Sequence, residues 1–262
     1  MKNIKLSILI SSRNDAYNGD SLERLKKSLL HNVELLRNKP AEIIVTDWGS
    51  EQPLSEMLDE ELYPREIVKF NYISPRITRR IPSVFPEVLC LNSGARESKG
   101  DYIGRLDQDT IIGKNFIEWF FSDKPNEESF YFSTRRDMEQ NQFSTSPDEV
   151  GHNPCDRLNI NSFWKCAVGV LLIPKKIWYD IGGYDEKNMW INHMEHEFIV
   201  RLNKVCKFVN LGPQIDFDFY HIYHERHTMA GRKSNNFVGL ELSSGIETRP
   251  NGVNWGFFKL KK

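Results

Sequence analysis

The sequence predicts an α/β domain: a mostly parallel sheet with helices on both faces. Three observations carry this. Short apolar runs alternate with segments of helical periodicity through the first half of the chain. One of the runs, EIIVT (42–46), is continuously apolar, as a strand covered on both faces requires. Polar clusters sit where three of the runs end, and sheets of this kind bind ligands at the carboxyl ends of their strands.

Residues 4–10 read as the first strand. Asp20-Ser21-Leu22-Glu23 has the spacing of a capping box. Leu22, Leu25, Leu29, Val33 and Leu36 then recur at the spacing of one buried helical face, and Pro40 ends the segment. EIIVT (42–46) is the second strand, a short helix follows Pro53, and 67–73 is the third strand. Residues 86–100 read as a helix with Pro at its start and Gly100 at its end. DYIGRL (101–106) is the fourth strand.

Lys114–Phe121 is predicted helical. Residues 122–162, rich in Asn, Ser, Asp and Pro, read as a long loop. VLLIP leads into a helix opened by Pro174 and closed by Gly182, and 193–206 is another helix. KFVNL and DFDFYHIYH read as strands. Residues 231–262 read as loop with little core. The organisation expected is one domain over 1–228 with a tail over 229–262.

The three strand-end clusters are Ser11-Ser12-Arg13-Asn14-Asp15, Asp47, and Asp107 with Asp109. In RLDQDT the two acids face the same way if the strand continues. Like charges at that spacing need water, a cation or a donor between them. A solvated turn is one reading; a divalent cation site is the other.

The chain has 262 residues and a net charge of -1, with 35 Lys and Arg against 36 Asp and Glu. That balance excludes nucleic-acid binding by bulk charge. The four cysteines form no C-x-x-C pair and are expected as reduced, mostly buried thiols. MKNIKLSILI reads as a strand rather than a signal peptide. No run approaches the ~20 apolar residues of a membrane span. The expected location is cytoplasmic, with peripheral membrane contact open through FFKLKK.

ILISSRND, EIIVTDWGS, LNSGARESKGDYIGRLDQDT, IGGYDE and MEHEFIVRL occur in this order over residues 4–227. Together they resemble the family 2 glycosyltransferases with the GT-A fold and the related galactosyltransferase-like C-terminal region. The resemblance implies a nucleoside-diphosphate sugar donor, usually a UDP-sugar, a glycan or lipid-linked glycan acceptor, and Mn²⁺ or Mg²⁺. It places a nucleotide-binding half at about 1–110 and an acceptor and base half at about 111–228, with the tail as a lid. A surface-polysaccharide pathway follows by analogy.

By the same resemblance, Asp109 is the surest metal ligand, and Asp107 reaches the ribose or binds the metal through water. Asp47 would accept a hydrogen bond from the base. Ser11, Arg13 and Asn14 would wrap the nucleotide, although the family's Pro and Tyr are missing there and Trp48 replaces a common second Asp. Asn92, Gly94 and Arg96 match a segment beside the donor, and the Arg96 guanidinium forks well onto phosphate. Glu195 falls at the catalytic base position of an inverting mechanism, with Met194 where a Glu is common.

Glu197 lies four residues before Arg201, the favourable order for an intrahelical pair, and is read as structural. His193 and His196 are three apart, not the four of a zinc-protease helix. His196 is expected to face solvent or the acceptor, and Trp190 to stack on a sugar or pack in the core. The family supplies a His metal ligand after the last core strand. His224 and His221 both qualify; on a strand they would face opposite ways, leaving one in the site. Two other functions stay open: a non-catalytic sugar or nucleotide-binding protein, toward which Met194 leans, and a nucleotidyltransferase, for which SSRNDAYNGD is a poor triphosphate loop.

Overall fold

A computed structural model describes residues 3–14, 20–122, 125–139, 170–190, 194–224 and 247–257. Four parallel strands begin the chain: β1 (Leu6–Ser12), β2 (Ala41–Trp48), β3 (Val68–Ile73) and β4 (Tyr102–Leu106). Between them lie helices α1 (Ser21–Leu36), α2 (Leu54–Met57), α3 (Pro75–Thr78) and α4 (Glu87–Glu97). Then come β5 (Thr110–Ile112), α5 (Lys114–Ser122), β6 (Ser129–Ser133), β7 (Arg136–Asp137), β8 (Val170–Pro174), α6 (Lys175–Asp180), α7 (Met194–Val205), β9 (Lys207–Asn210) and β10 (Phe219–His221).

The main sheet has seven strands in the order β3-β2-β1-β4-β8-β6-β9, with β8 alone running against the rest. A small second sheet, β5-β10-β7, follows the end of β4. The strands bury both faces through their two-residue period. In β1, Leu6, Ile8 and Ile10 join the core under α1 and α5, while Leu9 joins the core under α4, α6 and α7. In β8, Val170 and Leu172 take the first face and Leu171 and Ile173 the second.

Three local expectations change. The loop read over 122–162 contains β6, whose Phe130 and Phe132 are core residues; its remainder from 140 lies outside the described residues. Asp20 does not cap α1 with its side chain, because its carboxylate takes the Arg24 guanidinium 2.5 Å away. The tail contributes to the core: Trp255 is buried against the α4 and α6 side. Its indole stacks under the Arg96 guanidinium at 3.8 Å, with Tyr179 and Phe257 beside it. The lid expected of the tail rests on 229–246 and 258–262, outside the described residues, as are Asp15, His193 and His227. No helix among the described residues is long and apolar enough to cross a membrane.

Asn92, at 0% exposure, ties α4 to the turn after α6. Its amide donates to the Tyr184 carbonyl at 2.8 Å, and its oxygen accepts from the Tyr184 N–H at 2.8 Å. Gly182 and Gly183 make that turn at φ of 72° and 70°, and a Cβ on Gly183 would lie 2.3 Å from the Asn92 oxygen. Removing the Asn92 amide leaves buried backbone groups unpaired. Asn92→Ala is therefore expected to lower unfolding free energy by about 1–3 kcal/mol in urea titrations. Divalent-cation binding should be unchanged; a variant of wild-type stability that binds cation poorly would put Asn92 in the site instead.

Candidate metal and donor site

The site forms where β4 ends. The strand stops at Leu106, as DYIGRL predicts, and residues 107–109 turn into β5. A second stripe on α1, beside the apolar one, receives this turn. Arg24, Ser28 and Asn32 recur every four residues, and each is 0% exposed. Arg24 Nε donates to Asp109 Oδ2 at 3.2 Å, and Ser28 Oγ to the Gln108 carbonyl at 2.5 Å. Asn32 donates to the Thr110 carbonyl at 3.0 Å and accepts from the Ile112 N–H at 2.8 Å. These bonds pair the Gln108 and Thr110 carbonyls and the Ile112 N–H.

The two acids serve different partners. Asp107 is held by arginines on both oxygens: Arg105 lies 2.7 Å from Oδ1, and Arg135 donates to Oδ2. Burial pushes the Asp107 pKa up, but the two guanidinium charges outweigh it and hold the carboxyl below the usual range. Asp109 instead meets two imidazoles. His221 Nε2 lies 3.4 Å from Oδ1 and His224 Nε2 lies 3.5 Å from Oδ2. Burial raises the Asp109 pKa, and the His221 hydrogen bond with the Arg135 and His224 charges overrides it, leaving it well below the usual range.

One ligand atom from each of Asp109, His221 and His224 lies within 4.8 Å of the others. Octahedral ligands at about 2.1 Å from one ion stand about 3 Å apart, so a small closure completes such a site. One carboxylate and two imidazoles suit a first-row divalent cation and leave positions open for substrate oxygens. The expectation that only one histidine points inward fails because β10 ends at His221, which frees His224 from the strand's alternation. Asp107 is not in this group.

A cavity of about 190 Å³ opens beside these residues, lined by Ser11, Arg13, Glu87, Asp107 and Arg135 among others. Arg105 sits behind it. It leaves β4 on the same face as Ile103, where α4 and α7 both begin. Its Nη2 reaches Glu87 at 2.7 Å and Glu195 at 3.3 Å as well as Asp107. The predicted base thus stands in the first turn of α7, paired to a buried arginine. Burial raises the Glu195 pKa against the Arg105 charge. Glu87, in the first turn of α4, is pushed up to about 7 by burial, with Arg105 opposing.

Other expected site residues take different places. Asp47 is buried, and its oxygens accept from Ser50 and from the Leu54 N–H at 2.8 Å, which fixes the turn into α2. Arg13 donates to the Val84 carbonyl at 2.6 Å, and the Asn14 N–H to Ser50 Oγ at 2.8 Å. Asn92 and Arg96 serve the α6 turn and the tail: Arg96 donates to the Trp255 and Val253 carbonyls at 2.9 Å each. Half-buried Trp190 and His196 do not line the cavity. Trp48 is fully buried, and Glu197 pairs with Arg201 inside the core. Glu87, Arg24, Arg105 and Arg135 are missing from the sequence-level candidates. An arginine inside the buried run YIGRL is the one signal that points to them, since a buried guanidinium requires acid partners.

No family profile matches this chain, and no curated protein does. Solved structures share its fold. S. aureus TarS (residues 1–349) superposes with a TM-score of 0.55 at 16% identity, over 84% of this chain and 60% of that one. A mutant Drosophila β1,4-galactosyltransferase 7 in complex with manganese, UDP-Gal and xylobiose gives 0.51 at 13% identity, over 96% and 83%. The Pyrobaculum calidifontis mannosyltransferase PcManGT with GDP-Man and Mn²⁺ gives 0.51 at 11%, over 84% and 56%. The fold is the GT-A glycosyltransferase fold. The chain spans about 60% of the length of that TarS structure.

Glu87 supplies a pH test. Folded Glu87 keeps its proton up to about pH 7, whereas the unfolded side chain releases it near its ordinary value of 4.5. Folding therefore takes up a proton in this window, and stability falls as pH rises through it. Glu87→Gln, which mimics the protonated form, is expected to stabilise by about 1–3 kcal/mol at pH 8 and by almost nothing at pH 4.5. Urea titrations at the two pH values check this; equal effects at both would show that Glu87 ionises normally.

Proposed function

We propose that this chain is a metal-dependent glycosyltransferase of the family 2 type, moving a hexosyl group from a nucleoside-diphosphate sugar to a hydroxyl of a glycan acceptor. The observation that carries the reading is the Asp109–His221–His224 cluster at the carboxyl edge of a GT-A sheet. The neighbours' complexes with UDP-Gal and manganese, with UDP-GlcNAc, and with GDP-Man and Mn²⁺ support it. The two imidazoles favour Mn²⁺ over Mg²⁺, which prefers oxygen ligands.

A cation held by Asp109, His221 and His224 would supply Lewis-acid stabilisation to the leaving diphosphate. Ser11 and Arg13 on the cavity wall would hold the nucleotide, with Asp107 kept in place by Arg105 and Arg135. Glu195 is the proposed base. It would take the acceptor hydroxyl's proton as that oxygen attacks the anomeric carbon from the face opposite the diphosphate, which inverts the configuration. Burial raises its pKa against the Arg105 charge, the direction that strengthens a carboxylate as a base. Acceptors on polysaccharide or lipid-linked glycans fit the reading, as does a cytoplasmic site of action at or near a membrane.

Thermal unfolding with nucleoside diphosphates, with and without Mn²⁺, tests the donor site. UDP at about 100 times its dissociation constant should stabilise by about 2.7 kcal/mol, only with Mn²⁺ and not in Asp109→Ala. No shift with any nucleotide, in a folded sample, would turn the assignment to a sugar-binding protein on the same fold; a shift with nucleoside triphosphates alone would favour a nucleotidyltransferase. For the base, Glu195→Gln should lower transfer from the accepted UDP-sugar by about 10²-fold or more while leaving UDP binding intact. Turnover near wild type would remove Glu195 from that role.

A further inference from the structure

His221 has a second partner. Its Nδ1 lies 3.1 Å from Asp137 Oδ1, on the side of the ring away from Asp109. The backbone sets this contact. In the parallel β10–β7 ladder His221 is registered opposite Asp137, and the Met138 N–H donates to the His221 carbonyl at 2.9 Å. Ile111, Met138, Tyr220 and Ile222 form a separate buried cluster that clamps β5, β7 and β10 together. The Arg136 guanidinium adds a hydrogen bond to the Asp216 carbonyl at 2.9 Å. The Asp137 side chain is 52% exposed, and its Oδ1 also lies 3.9 Å from Arg135 Nε.

We propose that Asp137 is a positioning residue for the metal site: it accepts from His221 Nδ1–H and so presents the Nε2 lone pair to the cation beside Asp109. An imidazole ligates through one nitrogen only when its other nitrogen carries the proton, and a carboxylate acceptor fixes both tautomer and ring orientation. His221 has charged neighbours on every side: Asp109, Asp137 and Arg135, with the His224 ring edge-on at 5.1 Å. Of these, Asp137 alone contacts Nδ1. The inference rests on the metal reading of Asp109, His221 and His224 given above.

Mn²⁺ affinity of the full chain, read from the free-ion EPR signal, tests it without any sugar donor. Asp137→Ala should weaken Mn²⁺ binding by about 10–100-fold. The metal-free melting temperature should shift by no more than about 2 °C, because the side chain is half exposed. Asp137→Asn keeps an oxygen that can accept from Nδ1–H and should restore most of the affinity. In a His221→Ala background, Asp137→Ala should add no further loss. Wild-type affinity in Asp137→Ala, alongside a weakened His221→Ala, would overturn the proposal. So would full additivity of the two substitutions, which would mean that Asp137 acts only as distant charge. If wild type and Asp109→Ala both bind no Mn²⁺, the metal reading itself fails and this proposal falls with it.

Discussion

The candidate site depends on how α1 grips the turn after β4. A turn of acids buried between a helix and a second sheet would leave backbone groups and a carboxylate without partners. Arg24, Ser28 and Asn32 remove that cost, supplying a charge to Asp109 and hydrogen bonds to the backbone on both sides of it. Because these three side chains share a helix with Leu25, Leu29 and Val33, the core that holds α1 against β1 also sets the position of Asp109. Packing and site geometry are therefore one problem in this protein.

Charge compensation organises the rest. Arg105 gathers Glu87, Asp107 and Glu195 from a strand end and two helix starts. Three acids around one buried guanidinium would carry excess negative charge if all ionised; the raised Glu87 and Glu195 pKa values relieve it, and Arg135 offsets Asp107 from the segment between β6 and β7. On the other side of the turn, Asp109 meets two imidazoles and Arg24. The turn thus separates an arginine-bound acid from a histidine-bound one. That division suits a site where one carboxylate orients and the other ligates.

Much of the fold was legible because it follows from local periodicity. The four parallel strands, the apolar face of α1, the Pro174 opening of α6 and the Glu197–Arg201 pair all come from patterns within a few residues. Strand β6 was not legible, since SFYFS sits in a polar stretch and gains its burial only by pairing with β8 and β9. Asn92 and Arg96 also have partners that no local pattern shows. Their motif points to a donor, yet their partners, Tyr184 and the tail carbonyls, lie about 90 and 160 positions away in sequence.

A family resemblance marked Asp109, Glu195, His221 and His224 as candidates; the sequence by itself determined the α/β class and the strand ends that carry acids. Such features are encoded in side-chain type and short-range spacing. Only the tertiary structure decided which of them meet. Strand β4 stops before Asp107, so the two acids part. Strand β10 stops at His221, so both histidines turn to Asp109. Where a strand ends depends on the ladder partners it finds across the sheet, and those partners are remote in sequence. For the same reason Asp137 came to lie against His221 through an inter-strand register that no local pattern announces.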